Sequence, residues 1–404
     1  MYYGWAILAV CSVAAIASAP GQTFLLGMFN TPLREATGLG ATALSGAYLV
    51  ATLGSAFTLP WVGRLSDRIG PRWIIVLAAV GLGLACQSIG HVGGVVSLTL
   101  VFYAFRLCGQ GSLMLGSAHL LALWFDRRLG TAEGIRGAVQ AAGFAALPPV
   151  VAWLFARYGW VTAASVLGFA VWAVVVPLTL VVARDTPEHV GTTLDGSEPS
   201  EVEADPGYTL GEAMRSAPFW AVLALIVMAV LVTTAVLFHL QPLIVSLGMS
   251  VAVASRALVV NPLGSLVATL VGGWLADRVP LPRLLLVGGL FSGAAVTSLA
   301  AIATPAGAFA ALALLGVGQG LVTTSGATAI ARWYGRAHHG TIRGFTSSAM
   351  VAGTSVGPLA LSASRDLLES WSPALLAFAV ALAALGLVCA FIGTPAPRAA
   401  ARPA

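Results

Sequence analysis

The chain has 404 residues, 58% hydrophobic and only 9% charged, with 20 basic against 15 acidic side chains and a net charge of +5. Soluble domains carry about a quarter charged residues, so the composition excludes a soluble enzyme and points to a polytopic membrane protein. Every basic residue is Arg, and the excess reads as loops on one side of a membrane, not as a nucleic-acid surface.

Runs of about 20 apolar residues, enough to cross about 30 Å of hydrocarbon as helix, predict twelve spans. They are 4–31, 42–63, 73–91, 94–124, 134–157, 160–183, 218–246, 252–276, 283–303, 306–332, 343–364 and 372–393. A membrane barrel would alternate every second residue, so the expected class is all-α. In span one, Ala17-Ser18-Ala19 has the small residues of a signal-peptidase site but no basic region before it, and the segment is read as retained. Pro20-Gly21 predicts a helix break beside Gln22, freeing backbone groups toward a cavity.

Between spans two and three stands Gly63-Arg64-Leu65-Ser66-Asp67-Arg68-Ile69-Gly70-Pro71-Arg72, a charged break whose Gly, Leu, Asp and Arg return in Gly273-Trp274-Leu275-Ala276-Asp277-Arg278. Asp67 and Asp277 sit where a carboxylate can bond Arg or the open N–H groups of a neighbouring helix. Arg106 lies near the middle of span four, and Tyr103, Arg106, Gln110 and Ser117 recur at helical spacing on one stripe. His119 follows on the same span as a candidate for proton coupling.

After span six, residues 185–207 are acidic, with Asp185, Glu188, Asp195, Glu198, Glu201, Glu203 and Asp205, and read as a flexible linker. Thr209 and Glu212 have capping-box spacing and open a short surface helix before Pro218. His239 in span seven is a second proton candidate, Arg256 in span eight either faces a cavity or snorkels to the surface, and Asn261 and Gln319 are either ligands or interhelical glue. No Asp or Glu enters a span so drawn, which leaves Arg106 and Arg256 as intramembrane cations without a native counter-ion. The four cysteines lie in apolar runs as free thiols, and no metal or cofactor is expected.

With the N-terminus inside, fifteen Arg fall in cytoplasmic loops and the tail, among them Arg136, Arg343, Arg398 and Arg402, against three outside, Arg34, Arg157 and Arg365. Both termini are therefore expected in the cytoplasm. At an offset of 209 or 210 the halves share Pro32 with Pro242, Gly109-Gln110-Gly111 with Gly318-Gln319-Gly320, Trp124 with Trp333 and Gly130-Thr131 with Gly340-Thr341. A parallel repeat of this kind implies two six-helix halves about a pseudo-two-fold axis along the membrane normal, divided as 1–183, a linker 184–217 and 218–404.

These residues resemble the major facilitator superfamily over essentially the whole chain, Gly63 to Arg72 resembling its signature loop and Gly273 to Arg283 the echo. Tyr3-Gly4-Trp5, Arg106-Leu107-Cys108-Gly109-Gln110-Gly111 and Trp124 through Gly134 are similar to the monocarboxylate transporter and oxalate–formate antiporter branch. That branch commonly carries a substrate-binding Arg in span eight where this chain has Thr269, and the Lys of its span eleven is absent. The resemblance implies a gating role for Arg64, Asp67, Arg68, Asp277 and Arg278, which hold helix ends together in one conformation and release them in the other.

The expected function is secondary transport of a small organic anion, a mono- or dicarboxylate, across the cytoplasmic (inner) membrane by alternating access, coupled to protons or exchange. Arg106, Gln22, Gln110, Tyr103, His239, Arg256, Gln319 and Asn261 are the candidate binding residues. The expected partners are the anion, protons and the bilayer, with no nucleic acid, and the chain is expected to act as a monomer and not as an enzyme. One rival is an exporter of neutral or drug-like compounds, prompted by Gly353-Thr354-Ser355-Val356-Gly357-Pro358; another is a metabolite sensor that moves nothing.

Overall fold

Long apolar runs in a medium without water must satisfy every backbone polar group internally, and this chain does so as helix. The computed structural model describes residues 2–194, 207–302 and 304–395, and among these there is helix and loop but no strand. The acidic positions Asp195, Glu198, Glu201, Glu203 and Asp205 and the arginines Arg398 and Arg402 lie outside the described residues.

Span one consists of α1 (Gly4–Ala17), a single tight turn at Ala19–Gly21 and α2 (Thr23–Met28), followed by a short α3 (Asn30–Thr37). Spans two and three are α4 (Ala41–Ile69) and α5 (Pro71–Ser88). Span four runs through α6 (Val95–Ala104), a π-helical stretch at Phe105–Leu113 and α7 (Met114–Trp124); α8 (Leu129–Tyr158) and α9 (Trp160–Val182) complete the first half. A one-turn α10 (Leu210–Ala213) precedes span seven, α11 (Ala217–Phe238) with α12 (Leu240–Ser246). The last five spans are α13 (Val251–Ala276), α14 (Leu281–Ala300), α15 (Pro305–Tyr334), α16 (His339–Leu368) and α17 (Ser372–Ile392). Among the described residues, eleven spans are long and apolar enough to cross a membrane; α16, which carries Arg343, Arg365 and Asp366, is the twelfth.

The first six spans bury one apolar core, which includes Ile7, Leu82, Phe102 and Trp124; the last six bury another, with Phe219, Leu285, Leu312 and Leu382. The halves meet where α4 packs on α16 and where α8 packs on α13. An offset of 210 turns α8 into α16, residue for residue, and carries α4 onto α13, so the two pairings exchange about the pseudo-two-fold axis. Thr209 and Glu212 cap each other as their spacing predicts, the Glu212 carboxylate accepting the Thr209 N–H at 2.8 Å. The Tyr208 N–H docks this short segment on the Tyr334 carbonyl at 2.8 Å.

Several boundaries differ from the sequence expectation, for one reason. A hydropathy boundary marks where charged side chains begin, whereas a hydrogen-bonded helix can continue past it into the aqueous layer. The stretch read as a charged turn is helical as far as Ile69; the chain turns at Gly70, where φ is 89°, and α5 starts at Pro71. Glu133 and Arg136 lie in α8 and Arg343 in α16, not in loops. Glu133 is 7% exposed and Arg136 5%, so the expectation that no carboxylate enters a span fails at Glu133.

Candidate functional site

Proline lacks the N–H that would continue a helix, and span one turns sharply at Ala19–Gly21 with Pro20 inside the turn. The turn packs on the π-helical stretch of span four so closely that a Cβ on Gly21 would lie 2.7 Å from the Gly109 Cα. Arg106 Nη1 donates to the Gly21 carbonyl at 3.1 Å and to the Thr23 hydroxyl at 3.3 Å. Its guanidinium stands 5.3 Å from the Tyr48 ring centroid, and the Thr23 and Tyr48 hydroxyls bond each other at 2.8 Å. Arg106 is 2% exposed, and its Nε is buried with no partner. Among the described residues no carboxylate comes within ion-pair distance of it. A buried cation held by one carbonyl, one hydroxyl and a ring face retains a need for negative charge.

The π-helical stretch also changes the stripe that the 3.6-residue period put together, and such stretches recur at functional sites. Tyr103 and Arg106 both turn toward α4, Tyr103 through a 2.8 Å bond between its hydroxyl and that of Thr58. The Gln110 side-chain oxygen is buried without a partner, and the Ser117 hydroxyl returns to its own helix, on the Met114 carbonyl at 3.0 Å. Gln22 is half-buried and donates to Ser18 Oγ at 3.1 Å. Thr23 and Tyr48 were not singled out from the sequence. Thr23 could have been, since it lies two residues past the Pro20-Gly21 break, but nothing in the periodicity of α4 marks Tyr48.

The remaining candidates belong to the second half. Gln319, the counterpart of Gln110, is half-buried. Asn261 donates to the Leu312 carbonyl at 3.3 Å and ties α13 to α15. The His239 ring nitrogen Nε2 lies 3.0 Å from the Pro358 carbonyl oxygen, with the Trp371 ring tilted against it at 5.4 Å. Arg256 is exposed near the start of α13. The structure thus gathers Arg106, Tyr103, Gln22 and Gln110 in the first half and gives Asn261 and His239 helix-to-helix bonds elsewhere.

At the end of the bundle that carries most of the Arg, two carboxylates join the halves. Asp67, in the last turn of α4, accepts the Gly340 and Thr341 N–H groups at 2.7 and 2.8 Å and the Thr341 hydroxyl as well. Asp277, just past α13, accepts the Gly130 and Thr131 N–H groups, both at 2.8 Å, and the Thr131 hydroxyl at 2.5 Å. Each carboxylate meets the first turn of a helix in the other half, where N–H groups have no intrahelical acceptor and the dipole favours an anion. Side chains are excluded around both contacts: a Cβ on Gly63 would overlap the Gly340 carbonyl, and one on Gly130 would sit 2.6 Å from the Gly273 carbonyl.

Behind the contacts the symmetry ends. Arg332 Nη2 donates to Asp277 at 2.6 Å and to the Asp126 and Arg127 carbonyls, lacing α15 to the first half, while its Nη1 donates to the Ala276 carbonyl. Behind Asp67 stands the buried His119, its Nε2 3.7 Å away and its Nδ1 2.8 Å from Ser66 Oγ, with the His339 ring at 5.6 Å. Arg64, Arg68 and Arg278 are exposed and bond neither Asp; Arg278 stacks on Trp274 at 4.2 Å.

A family model described as Major Facilitator Superfamily matches residues 11–255 and 233–404. A probable sulfoacetate transporter of Cupriavidus necator is 27% identical over 195 residues, 46% of this chain. Mouse (Mus musculus) monocarboxylate transporter 11 is 30% identical over 275 residues, 62% of this chain. The aligned stretches span only 42% and 58% of those two relatives' own length. In three dimensions the E. coli fucose:proton symporter superposes with a TM-score of 0.74 at 15% identity, covering 98% of this chain and all of that one, a likeness of fold alone.

Proposed function

The chain belongs to the Major Facilitator Superfamily and is a multi-pass membrane transporter, and from that premise we propose that its cargo is a small organic anion bearing a carboxylate or sulfonate. The observation that carries this reading is Arg106, a guanidinium 2% exposed, unpaired with any carboxylate among the described residues and with no acceptor for its Nε–H. A carboxylate or sulfonate offers the planar or clustered oxygens that a guanidinium binds best. The Gly21 carbonyl, Thr23 and Tyr48 hold the Arg106 fork in place, and Gln22, Gln110 and Tyr103 lie on the elements around it. The names of the relatives, a sulfoacetate and a monocarboxylate transporter, agree with an anion of this class.

Transport follows from alternating access of the two halves. In our reading the Arg-rich end faces the cytoplasm, both termini included, because fifteen Arg stand on that side against three on the other. The membrane is the cytoplasmic (inner) one. Asp67 and Asp277 act as the gate at that end: with both carboxylates seated on the opposing helices, Arg106 is reached from the other side. Release of the two contacts lets the halves rock apart and delivers the anion. Coupling is by protons or by exchange of one anion for another.

Uptake of labelled lactate, oxalate and sulfoacetate into proteoliposomes tests the cargo. Wild-type protein is expected to carry at least one of them, and Arg106→Ala to lose about ten- to a hundredfold in kcat/KM, the equivalent of one or two charge-assisted hydrogen bonds. Arg106→Lys should keep part of it, since Lys retains the charge without the fork. Unchanged uptake in Arg106→Ala would remove Arg106 from the site.

A further inference from the structure

A second group of buried charges lies nearer the Arg-rich end, and nothing in the gate accounts for it. Glu133 and Arg136, both on α8, form an ion pair with Nη2 and Nε of Arg136 at 2.6 and 2.9 Å from Glu133 Oε2. Arg136 Nη1 is buried with no partner, although the residue is only 5% exposed. Arg343, on α16 of the other half, is within electrostatic reach of both Glu133 and Arg136. Its guanidinium has no hydrogen-bond or ion-pair partner among the described residues, and the side chain is half-buried. One carboxylate therefore faces two guanidiniums, and the group is one negative charge short of neutrality.

Its position is on the seam between the halves. α8 packs on α13 and α16 packs on α4, so the two inter-half pairings stand on either side of the pseudo-two-fold axis. Charges on α8 and α16 that sense each other do so between those two pairings. Glu133 and Arg343 are also sequence equivalents at the offset of 210, so the repeat has placed opposite charges at matching points of the two halves. Arg343 is three residues beyond Gly340, about 4.5 Å further into the bundle than the Asp67 contact. Arg106 is eighteen residues from the end of span four at Trp124, which puts it on the order of 20 Å from Arg343 along the axis. A solute with a few carbon atoms cannot span that distance. The two cationic positions are successive, not joint.

We infer that Arg343 and Arg136 form a second anion-binding station, close above the gate, which takes the carboxylate or sulfonate of the solute after it leaves Arg106. Glu133 holds Arg136 in position and keeps the station from binding the anion too tightly to release it. This rests on the reading of the cargo as an anion. It deepens that reading by making the affinity at the two faces of the transporter separable.

Proteoliposomes of one orientation, assayed for lactate, oxalate and sulfoacetate exchange with solute offered at each face in turn, test the station. Arg343→Gln should raise KM about tenfold or more at the Arg-rich face, a loss of about 1.4 kcal/mol, and change it less than about twofold at the opposite face. Arg343→Lys should recover most of the loss. Glu133→Gln, which removes the competing carboxylate, should lower KM at the Arg-rich face, a gain that damaged folding would not give. Equal KM changes at both faces in Arg343→Gln, no rescue by Lys, or a raised KM in Glu133→Gln would overturn the station while leaving the cargo intact. Failure of wild-type protein to carry any of the three anions would overturn cargo and station together.

Discussion

The two carboxylate contacts at the Arg-rich end use the same three acceptor bonds to the same Gly-Thr pair, yet differ in what stands behind them. Asp277 has Arg332, a permanent cation at 2.6 Å that also ties three carbonyls of the surrounding chain. Asp67 has His119 at 3.7 Å, a group that is neutral or charged according to pH. The sequence repeat preserved the atoms that touch across the seam and let the supporting residues diverge. The positions equivalent to Arg332 are apolar, Ala122 and Leu123, and the positions equivalent to His119 are Thr328 and Ala329. One contact is therefore braced by a fixed charge and the other by a titratable ring, so the gate proposed for this end has a stiff side and an adjustable one.

The largest effect expected from this difference comes from Asp277→Asn. It removes the charge that three donors of α8 and Arg332 share, and leaves Arg332 among carbonyls with no carboxylate. Breaking a largely buried charge pair of this kind costs about 2–4 kcal/mol, so the closed arrangement of this end should lose at least about thirtyfold in population. Ile69 and Arg283 are exposed and belong to opposite halves. Spin labels on cysteines at those two positions report the opening as a longer distance. An unchanged distance distribution in Asp277→Asn would show that the contact does not hold the end shut.

The parts of these contacts that can be read from the sequence are those that obey a local rule. Asp67, Asp277 and the paired Gly-Thr residues stood out because they recur at one offset, and the break at Pro20-Gly21 because proline cannot continue a helix. The spans themselves are visible in apolar run length, and Arg106 is visible as a charge inside such a run. Arg332 was hidden because its partners are carbonyls of residues 126 and 127, about two hundred positions away, and no periodicity encodes a bond across the seam. Glu133, Arg136 and Arg343 look like loop charges for a different reason: hydropathy sees the edge of the lipid and not the end of the helix. Tyr48 was missed because an aromatic residue in an apolar helix has no signature until its neighbour Arg106 is known.

Asp67→Asn is the matched test on the adjustable side, and its effect should be smaller. The amide can still accept one N–H from the first turn of α16, and the side chain left behind it is an imidazole, which can remain neutral where the guanidinium of Arg332 cannot. A cost of about 1–2 kcal/mol, or roughly five- to thirtyfold in the same spin-label distance population, is expected. Equal opening in Asp67→Asn and Asp277→Asn would mean that the acceptor bonds alone carry the gate and that the residues behind them add nothing. The comparison between the two sides would then collapse.

The smallest effect, and the one that isolates the difference, belongs to His119→Gln. Glutamine can keep a bond to Ser66 but carries no proton to gain, so near pH 7.5 the closed population should change less than about fivefold. The informative variable is pH. A proton on His119 adds a positive charge that Asp67 attracts within its own half, while the groups opposite are His339, with Arg336 and Arg343 within its electrostatic reach. Since Asp67 and His119 ride together on the first half, their attraction does not oppose separation of the halves. The repulsion toward the α15–α16 side favours it. Uptake of a proton by His119 on acidification should thus lengthen the label distance in the wild type, a change that His119→Gln should lack. Because Arg332 keeps its charge throughout, the Asp277 side should contribute nothing to that slope. A wild-type distance that does not move on acidification, or a slope that survives in His119→Gln, would place the pH-sensitive element somewhere other than behind Asp67.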